Sequence, residues 1–190
     1  MKHRYLIALG SNVRHARHGR PQQVVRAAIE ALDKLDHVKV KAASPIIGTA
    51  AMGPSRRRFA NAAAIVKTRL EPADLLRELK ALEARFGRKR GGRRWGARVL
   101  DLDVVLWSGG MFADVGLVIP HPAFRDRAFV LHPALSVAPD WRDPVTGLAL
   151  RHLHARLTRR RPARNGSAPA RQHRFGGPLA QSVEQLTFNQ

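Results

Sequence analysis

The chain of 190 residues contains no cysteine, which excludes disulfides, thiolate zinc sites and cysteine nucleophiles. This absence fits a reducing cytoplasm, which is the location that we expect. No apolar run approaches the roughly 20 residues of a membrane span. The apolar run Tyr5–Leu9 behind the basic N-terminus is too short for the core of a signal peptide and predicts a first strand. We therefore expect no membrane partner.

Two common phosphate-binding signatures are also missing. The sequence contains no Gly-Lys-Ser or Gly-Lys-Thr of a P-loop and no G-x-G-x-x-G of a dinucleotide-binding fold. If the protein binds a nucleotide, arginines and a metal ion must hold the phosphates instead of a glycine-rich cradle.

Acidic residues are scarce, with 14 Asp and Glu against 34 Lys and Arg and a formal net charge of +20. Such a charge indicates nucleic acid, phosphate-rich ligands or anionic surfaces as partners. Arginine dominates over lysine, however, and an arginine-rich proteome produces that bias without any functional cause. The charge alone therefore does not select a function.

The hydrophobic pattern predicts a domain over residues 1–158 in the order β-α-β-β-α-β, which is typical of an α+β ferredoxin-like sandwich with a mostly antiparallel sheet covered by helices. From about Leu157 the chain becomes rich in Arg, Pro, Gly and Ser, so we expect residues 159–190 to form a disordered basic tail. Its last fifteen residues, GGPLAQSVEQLTFNQ, look like a reading frame that runs through a neighbouring tRNA gene. The predicted strands are Arg4–Leu9, His37–Ser44, Asn61–Thr68, Val99–Leu106 and Leu117–Ile119, the helices are Pro21–Leu35 and Pro72–Phe86, and Gly48–Arg58 is a loop.

Two carboxylates stand in the strand Val99–Leu106. Asp101 and Asp103 are two residues apart, so on a strand both side chains point to one face, and Leu100, Leu102, Val104 and Leu106 are expected on the other. A buried carboxylate pair needs a cation, and Mg²⁺ is commonly held by one or two carboxylates together with substrate phosphates. Arginines just upstream suit the same phosphates. The alternative is a strand whose aspartates lie on a solvated face.

Further motifs accompany this strand along the chain. They are ALGSN at Ala8–Asn12, F-x-N at Phe59–Asn61, L-x-P-x-x-L-L at Leu70–Leu76, Glu83, Gly87–Arg88, RWG-x-R-x-LDLD at Arg94–Asp103, Pro-His-Pro at Pro120–Pro122 and R-x-F-V-L at Arg127–Leu131. The most specific of them is RWG-x-R-x-LDLD. In this order the motifs closely resemble those of 6-hydroxymethyl-7,8-dihydropterin pyrophosphokinases of folate biosynthesis, over roughly residues 4–145.

The resemblance implies transfer of pyrophosphate from ATP to the pterin hydroxymethyl group, with Mg²⁺, in a monomeric enzyme. It implies that Asp101 and Asp103 are metal ligands, with two ions as the expected number, and that Arg88 and Arg98 neutralise charge as the pyrophosphoryl unit moves. It also implies nucleotide-side and pterin-side residues. The nucleotide-side residues are Glu83, Arg90, Trp95, His121 and Arg127, and the pterin-side residues are Thr49, Phe59, Asn61 and Phe129.

Each of these residues also has an ordinary structural interpretation. Phe59 and Phe129 could be core residues, His121 a turn residue between prolines, and Glu83 a surface residue. Arg88 and Arg90 could belong to a solvated run of charge.

The chain also departs from the family pattern. The loop Thr49–Phe59 lacks the usual Gln and gains three arginines, Lys80 stands where a Gln often contacts the nucleotide, and Val118 replaces a hydroxyl residue.

Two rival functions remain open from the sequence. A basic α+β sandwich could bind RNA or DNA. Against this, the chain shows no aromatic-rich strand of the RNP type, and Asp101 and Asp103 would repel a phosphate backbone in the absence of metal. A family member that binds its ligands without turnover is the other alternative, because the pterin-side loop is altered.

Overall fold

The computed structural model describes residues 1–49, 58–87 and 98–159. These residues form a main sheet with four α-helices and a small separate hairpin. The strands are β1 (His3–Ser11), β2 (Val38–Ala43), β3 (Ile47–Thr49), β4 (Phe59–Thr68), β5 (Asp101–Trp107), β6 (Phe112–Asp114) and β7 (Leu117–Ile119), and the helices are α1 (Pro21–Asp33), α2 (Pro72–Arg85), α3 (Ala128–Val137) and α4 (Leu150–Thr158).

The main sheet has the strand order β2-β4-β1-β5, and every pairing in it is antiparallel. The short strand β3 extends it by pairing with the first residues of β4. With α1 between β1 and β2 and α2 between β4 and β5, the arrangement is the ferredoxin-like α+β sandwich that the sequence predicts. The strands β6 and β7 pair with each other as a separate hairpin.

Alternation along the strands gives the sheet two buried faces. On β1, Tyr5, Ile7 and Leu9 enter a core with α1 and α2, whereas Leu6 enters a second core with α3 and α4. The pattern reflects the twofold periodicity of a strand, and helices cover both faces. On α2, three leucines at helical spacing are almost fully buried, and burial of each contributes roughly 1.5–3 kcal/mol; they are Leu75, Leu79 and Leu82.

A β-bulge interrupts the pairing of β5 with β1. Leu6 pairs with Leu106 and Ile7 pairs with Val104, so Val105 is an extra residue on β5. As a result, Leu106 joins the second core with Val105, while Leu100, Leu102 and Val104 lie in the first. The expectation that all four even-numbered residues share one face is therefore wrong for Leu106, because the bulge changes the phase of the strand.

Other elements agree with the predicted ones to within a few residues, with two corrections. Residues Ile47–Thr49 form a strand, so the predicted loop Gly48–Arg58 does not start at Gly48. Helix α4 is absent from the predicted elements, and it ends at Thr158, the last residue of the predicted domain. The helix α2 ends as predicted before Gly87, whose positive φ of 80° suits a residue without a side chain.

Residues Met1–Arg159 form one compact unit, and residues 160–190 lie outside the described residues. Across the described ranges, no helix is both long and apolar enough to cross a bilayer.

Candidate functional site

The side chains that could bind a ligand or take part in catalysis lie together on the sheet face that α3 covers, near the start of β5. Asp101 pairs with Gly10 and Asp103 pairs with Ala8 on the neighbouring strand β1. Leu102 between them points into the first core, so both carboxylates point to the opposite face. Both aspartates are partly exposed, which leaves them accessible to a ligand. This confirms that the two carboxylates share one face.

The first carboxylate is paired with an arginine. Arg98 Nη1 lies 2.5 Å from Asp101 Oδ2, and about a third of the Arg98 side chain remains exposed. A guanidinium that is held by a carboxylate and still open to solvent can also contact a phosphate. The structure thus brings Arg98, expected to neutralise charge, into contact with Asp101, expected to bind metal.

The second carboxylate lies in a less favourable environment. Burial and the negative charge of Asp101 raise the pKa of Asp103 above its ordinary value, while His121, Lys80 and Arg127 act in the opposite direction. Three cationic or titratable side chains from separate segments are therefore close enough to influence Asp103. Two carboxylates on one face, with the pKa of Asp103 raised, form a site at which a divalent cation would be stabilising.

His121 is held beside this pair by its backbone. Its N–H donates to the carbonyl of Val105, the extra residue of the bulge, at 3.0 Å, and its Nδ1 accepts the N–H of Ala123 at 3.2 Å. Burial lowers the pKa of His121, Asp103 raises it, and Arg127 lowers it again, with a net shift below the ordinary value. The hydrogen bond to Nδ1 places the proton of the neutral ring on Nε2, which can then donate to a ligand.

Glu83 is almost fully buried, with 1% of its side chain exposed. Its Oε1 accepts the backbone N–H of Leu102 at 2.7 Å, between the two aspartates, and both of its oxygens lie near Lys80 Nζ. The surface interpretation of Glu83 is therefore wrong. In the described structure this carboxylate supports strand β5 directly.

The predicted pterin-side residues come from β3, β4 and α3. Phe59 and Asn61 are two residues apart on β4 and point to the same face, and Asn61 Nδ2 donates to Thr49 Oγ1 at 2.7 Å across the strand pair. Phe129, near the start of α3, packs against the second core, and the Arg127 guanidinium lies 5.8 Å from the centre of its ring. Both phenylalanines are half-buried, so part of each ring remains accessible to a ligand.

A glycine separates the two halves of the site. Gly10 on β1 pairs with Asn61 on one side and with Asp101 on the other. A Cβ at this position would lie 3.4 Å from Asn61 Oδ1 and 4.0 Å from Asp101 Cβ. The absence of a side chain at Gly10 therefore leaves space between the amide and the carboxylate.

The donor chemistry suits a hard divalent cation. Asp101 and Asp103 offer carboxylate oxygens, and within the described ranges no cluster of three or more His, Cys, Asp or Glu residues could hold a metal. A pair of carboxylates whose remaining coordination positions go to water and phosphate oxygens is a common arrangement for Mg²⁺.

Three predicted residues, Arg88, Arg90 and Trp95, lie outside the described residues. The sequence reasoning assigned no role to Gly10 and treated Lys80 only as a departure from the family. The signal for Gly10 is tertiary, because it lies in the register of β1 against two neighbours. The signal for Lys80 is local, because its contact with Glu83 is an i,i+3 ion pair on one helix.

Comparison with known proteins gives one consistent result. Residues 6–139 match the family model described as 7,8-dihydro-6-hydroxymethylpterin-pyrophosphokinase. A 2-amino-4-hydroxy-6-hydroxymethyldihydropteridine pyrophosphokinase of Pseudomonas aeruginosa is 39% identical over 145 residues, covering 76% of this chain and 86% of the relative. The enzyme of the same name from Methylorubrum extorquens is 38% identical over 138 residues, covering 72% and 84%.

A solved structure supports the fold. The crystal structure of wild-type Plasmodium falciparum HPPK-DHPS with pteroate superposes with a TM-score of 0.61 at 12% identity and covers 82% of this chain. The chain spans 42% of that much longer protein. At this identity the likeness shows a shared fold alone.

Proposed function

Because the chain belongs to the 7,8-dihydro-6-hydroxymethylpterin-pyrophosphokinase family, we propose that it transfers pyrophosphate from ATP to 6-hydroxymethyl-7,8-dihydropterin in folate biosynthesis. The oxygen of the hydroxymethyl group bonds to the β-phosphorus of ATP, and the bond between that phosphorus and the bridging oxygen to the α-phosphate breaks. The hydroxyl proton is released, and the products are AMP and the pterin diphosphate.

The observation that carries this proposal is the arrangement around Gly10. An amide that suits the edge of a heterocycle, Asn61, and a carboxylate that suits a metal-bound phosphate, Asp101, flank the same glycine on one face of the sheet. A reaction between a heterocyclic alcohol and a nucleoside triphosphate needs these two kinds of binding group next to each other.

On the phosphate side, Asp101 and Asp103 would hold Mg²⁺, with two ions as the number that we propose. Bound there, Mg²⁺ supplies charge neutralisation and orients the phosphate oxygens. Arg88 and Arg98 would neutralise the charge that develops as the pyrophosphoryl unit moves. His121 and Arg127 would donate to phosphate oxygens, as would Arg90 in a segment that also carries Trp95.

On the pterin side, Phe59 and Phe129 would stack on the two faces of the ring, and Asn61 would bond its polar edge. The hydrogen bond from Asn61 to Thr49 fixes the orientation of the amide before the ligand arrives. A flat heterocycle with polar edges is recognised by this combination of aromatic faces and an amide.

The assay that tests the function measures AMP formation from ATP, Mg²⁺ and the reduced pterin. We expect AMP to form in proportion to enzyme and only when the pterin and Mg²⁺ are both present. The pterin without its hydroxyl group is the control substrate and should give none. If no AMP forms at substrate concentrations up to the millimolar range, which usual KM values reach, the proposed activity is refuted.

We further propose that the protein acts as a monomer in the cytoplasm and that residues 1–158 contain the whole activity. The compact unit Met1–Arg159 supports this boundary, because every described residue of the candidate site belongs to it.

A further inference from the structure

Lys80 lies on the same face of α2 as Glu83, one helical turn before it. Its Nζ is 3.2 Å from Glu83 Oε1 and 3.1 Å from Oε2, so the ammonium contacts both oxygens of the carboxylate. The two partners differ in environment, because about half of the Lys80 side chain is exposed whereas Glu83 has 1% exposure. Loss of the cation from a pair with a buried carboxylate is more destabilising than its loss from a fully exposed pair.

Glu83 also contacts β5, the strand that carries Asp101 and Asp103. Its Oε1 accepts the N–H of Leu102 at 2.7 Å, and this amide belongs to the residue between Asp101 and Asp103. Among the described residues β5 pairs with β1 alone, so its outer edge is an edge of the sheet. The carboxylate of Glu83 therefore supplies an acceptor that a neighbouring strand would otherwise provide.

The negative charge in this region requires compensation. Asp101 and Asp103 repel each other on one face of β5, and the buried carboxylate of Glu83 contacts the amide of the residue between them. Arg98 pairs with Asp101, and Lys80 pairs with Glu83. Lys80 also acts electrostatically on Asp103. Loss of the ammonium would leave the buried carboxylate of Glu83 less well compensated and freer to leave the Leu102 amide.

We propose that Lys80 is a positioning residue: through Glu83 it holds the backbone of Leu102 and thereby fixes the two carboxylates that flank it. Lys80 acts through another side chain and does not contact the reacting atoms. The inference rests on the proposed function only where it concerns turnover, because the contact with Leu102 is a property of the fold.

The direct test is amide hydrogen exchange at Leu102, followed by NMR in the full-length protein without ligands. Lys80→Met should speed exchange at Leu102 about tenfold, because the hydrogen bond to Glu83 opens more often. Lys80→Arg should change it less than about twofold, since the cation remains. The matched control is Arg77→Met, which removes an exposed i,i+3 ion pair with Asp74 on the same helix and should leave Leu102 unaffected.

A double-mutant cycle tests whether the effect passes through Glu83. Glu83→Gln keeps an oxygen acceptor for Leu102 but no longer needs a cation. In that background Lys80→Met should change exchange at Leu102 less than about twofold, which is the coupling expected of residues that act as a pair. Equal acceleration in both backgrounds, or no acceleration by Lys80→Met in the wild type, would overturn the proposal.

The activity measurement separates positioning from nucleotide binding. We expect Lys80→Met to lower kcat and to raise the Mg²⁺ concentration for half-maximal rate several-fold, with the KM for ATP at saturating Mg²⁺ little changed. A higher KM for ATP with normal exchange at Leu102 would instead make Lys80 a nucleotide contact and refute the inference. If wild-type protein forms no AMP, the proposed function fails, but the exchange experiment still decides the role of Lys80.

Discussion

Asn12 and Arg98 are joined by two hydrogen bonds although 86 residues separate them in the sequence. Asn12 Oδ1 accepts the backbone N–H of Arg98 at 2.7 Å, and the N–H of Asn12 donates to the Arg98 carbonyl at 3.0 Å. Asn12 itself is buried. The residue that follows β1 thus fixes the backbone of the arginine whose guanidinium reaches Asp101.

Removal of the Asn12 side-chain amide should leave Arg98 less firmly positioned beside Asp101. Asn12→Ala leaves the Arg98 N–H without its side-chain acceptor, and we expect a loss of about 1–3 kcal/mol in the free energy of unfolding. We also expect a fall in kcat of roughly tenfold, because Arg98 would no longer be fixed beside Asp101. Urea denaturation and steady-state kinetics measure the two effects. Unchanged values of both would show that the contact has no role.

Asp103→Asn should stabilise the protein while it abolishes turnover. Burial and Asp101 raise the pKa of Asp103 above its ordinary 3.8, so the folded protein binds that proton more tightly than the unfolded chain does. Stability then falls as the pH rises from the ordinary value through the raised one. At pH 7 without metal, the variant should have a higher Tm than the wild type, because it carries no charge there.

The same variant should lose roughly a hundredfold or more in Mg²⁺-dependent rate if Asp103 is a metal ligand. Asp101→Asn should lose a comparable factor. Normal turnover in either variant at saturating Mg²⁺ would exclude the metal-binding role. Circular dichroism of both variants provides the check that the fold is retained.

Gly10→Ala should fold and yet bind substrate poorly. The new Cβ would lie in ordinary contact with Asn61 Oδ1 and Asp101 Cβ, so we expect the free energy of unfolding to change by about 1 kcal/mol at most. The methyl group would occupy the space between the amide and the carboxylate, where we place the reacting groups. We expect kcat/KM for the pterin to fall about tenfold or more. An unchanged kcat/KM would show that this space is not used.

Asp143 and Arg125 form an ion pair outside the site in which the carboxylate is fully buried. Asp143 is fully buried and accepts two hydrogen bonds from Arg125, at 2.8 and 2.7 Å, as well as bonds from Thr146 and the Val145 amide. Arg125→Ala leaves this carboxylate buried without its cation, which should cost about 3 kcal/mol in the free energy of unfolding. Arg77→Ala, in an exposed pair, should cost less than about 1 kcal/mol.

The buried carboxylate of Asp143 should also make the stability of the fold sensitive to acid. Burial would raise the pKa of Asp143, but hydrogen bonds from Arg125, Thr146 and Val145 more than compensate, and the pKa lies below the ordinary 3.8. Its contribution to stability is therefore present above that ordinary value and is lost as the pH falls through the lowered one. Denaturation midpoints measured between pH 7 and pH 2 should fall less steeply for Asp143→Asn than for the wild type. A parallel decline in the two proteins would contradict this.

Deletion of residues 160–190 should leave pyrophosphokinase activity within about twofold of the full chain, since loss of a terminal segment outside a compact domain seldom affects that domain's activity. The deletion removes a strongly basic segment, so it should weaken binding to nucleic acid at low salt, which is a second measurement. A large loss of AMP formation would show that the segment contributes to the enzyme.

The sequence predicts the main sheet well because its strands and its first two helices have clear periodicity. It does not predict α3, which is apolar nearly throughout and contains Pro133, so no helical face stands out. The fourth helix follows a turn organised by Asp143, a buried ion pair that no local pattern reveals.

The candidate site, like the fold, could be predicted from the sequence only in part. Asp101 and Asp103 could be predicted from their spacing on one strand. The contact of Glu83 with Leu102 and the gap at Gly10 could not, because both depend on which strand or helix becomes the neighbour in the folded chain.

The bulge at Val105 divides β5 into two segments that can vary independently. Before it, the odd-numbered positions face α3 and carry Asp101 and Asp103; after it, Leu106 takes that direction. Substitutions in the acidic segment therefore need not alter the apolar segment, which is anchored separately. Deletion of Val105 would leave Val104 paired with Ile7 and Leu106 with Leu6, so the strand would lose its bulge while Asp103 and Leu106 kept their faces. Deletion of Leu102, on the acidic side of the bulge, would instead move Asp101 to the opposite face of the sheet.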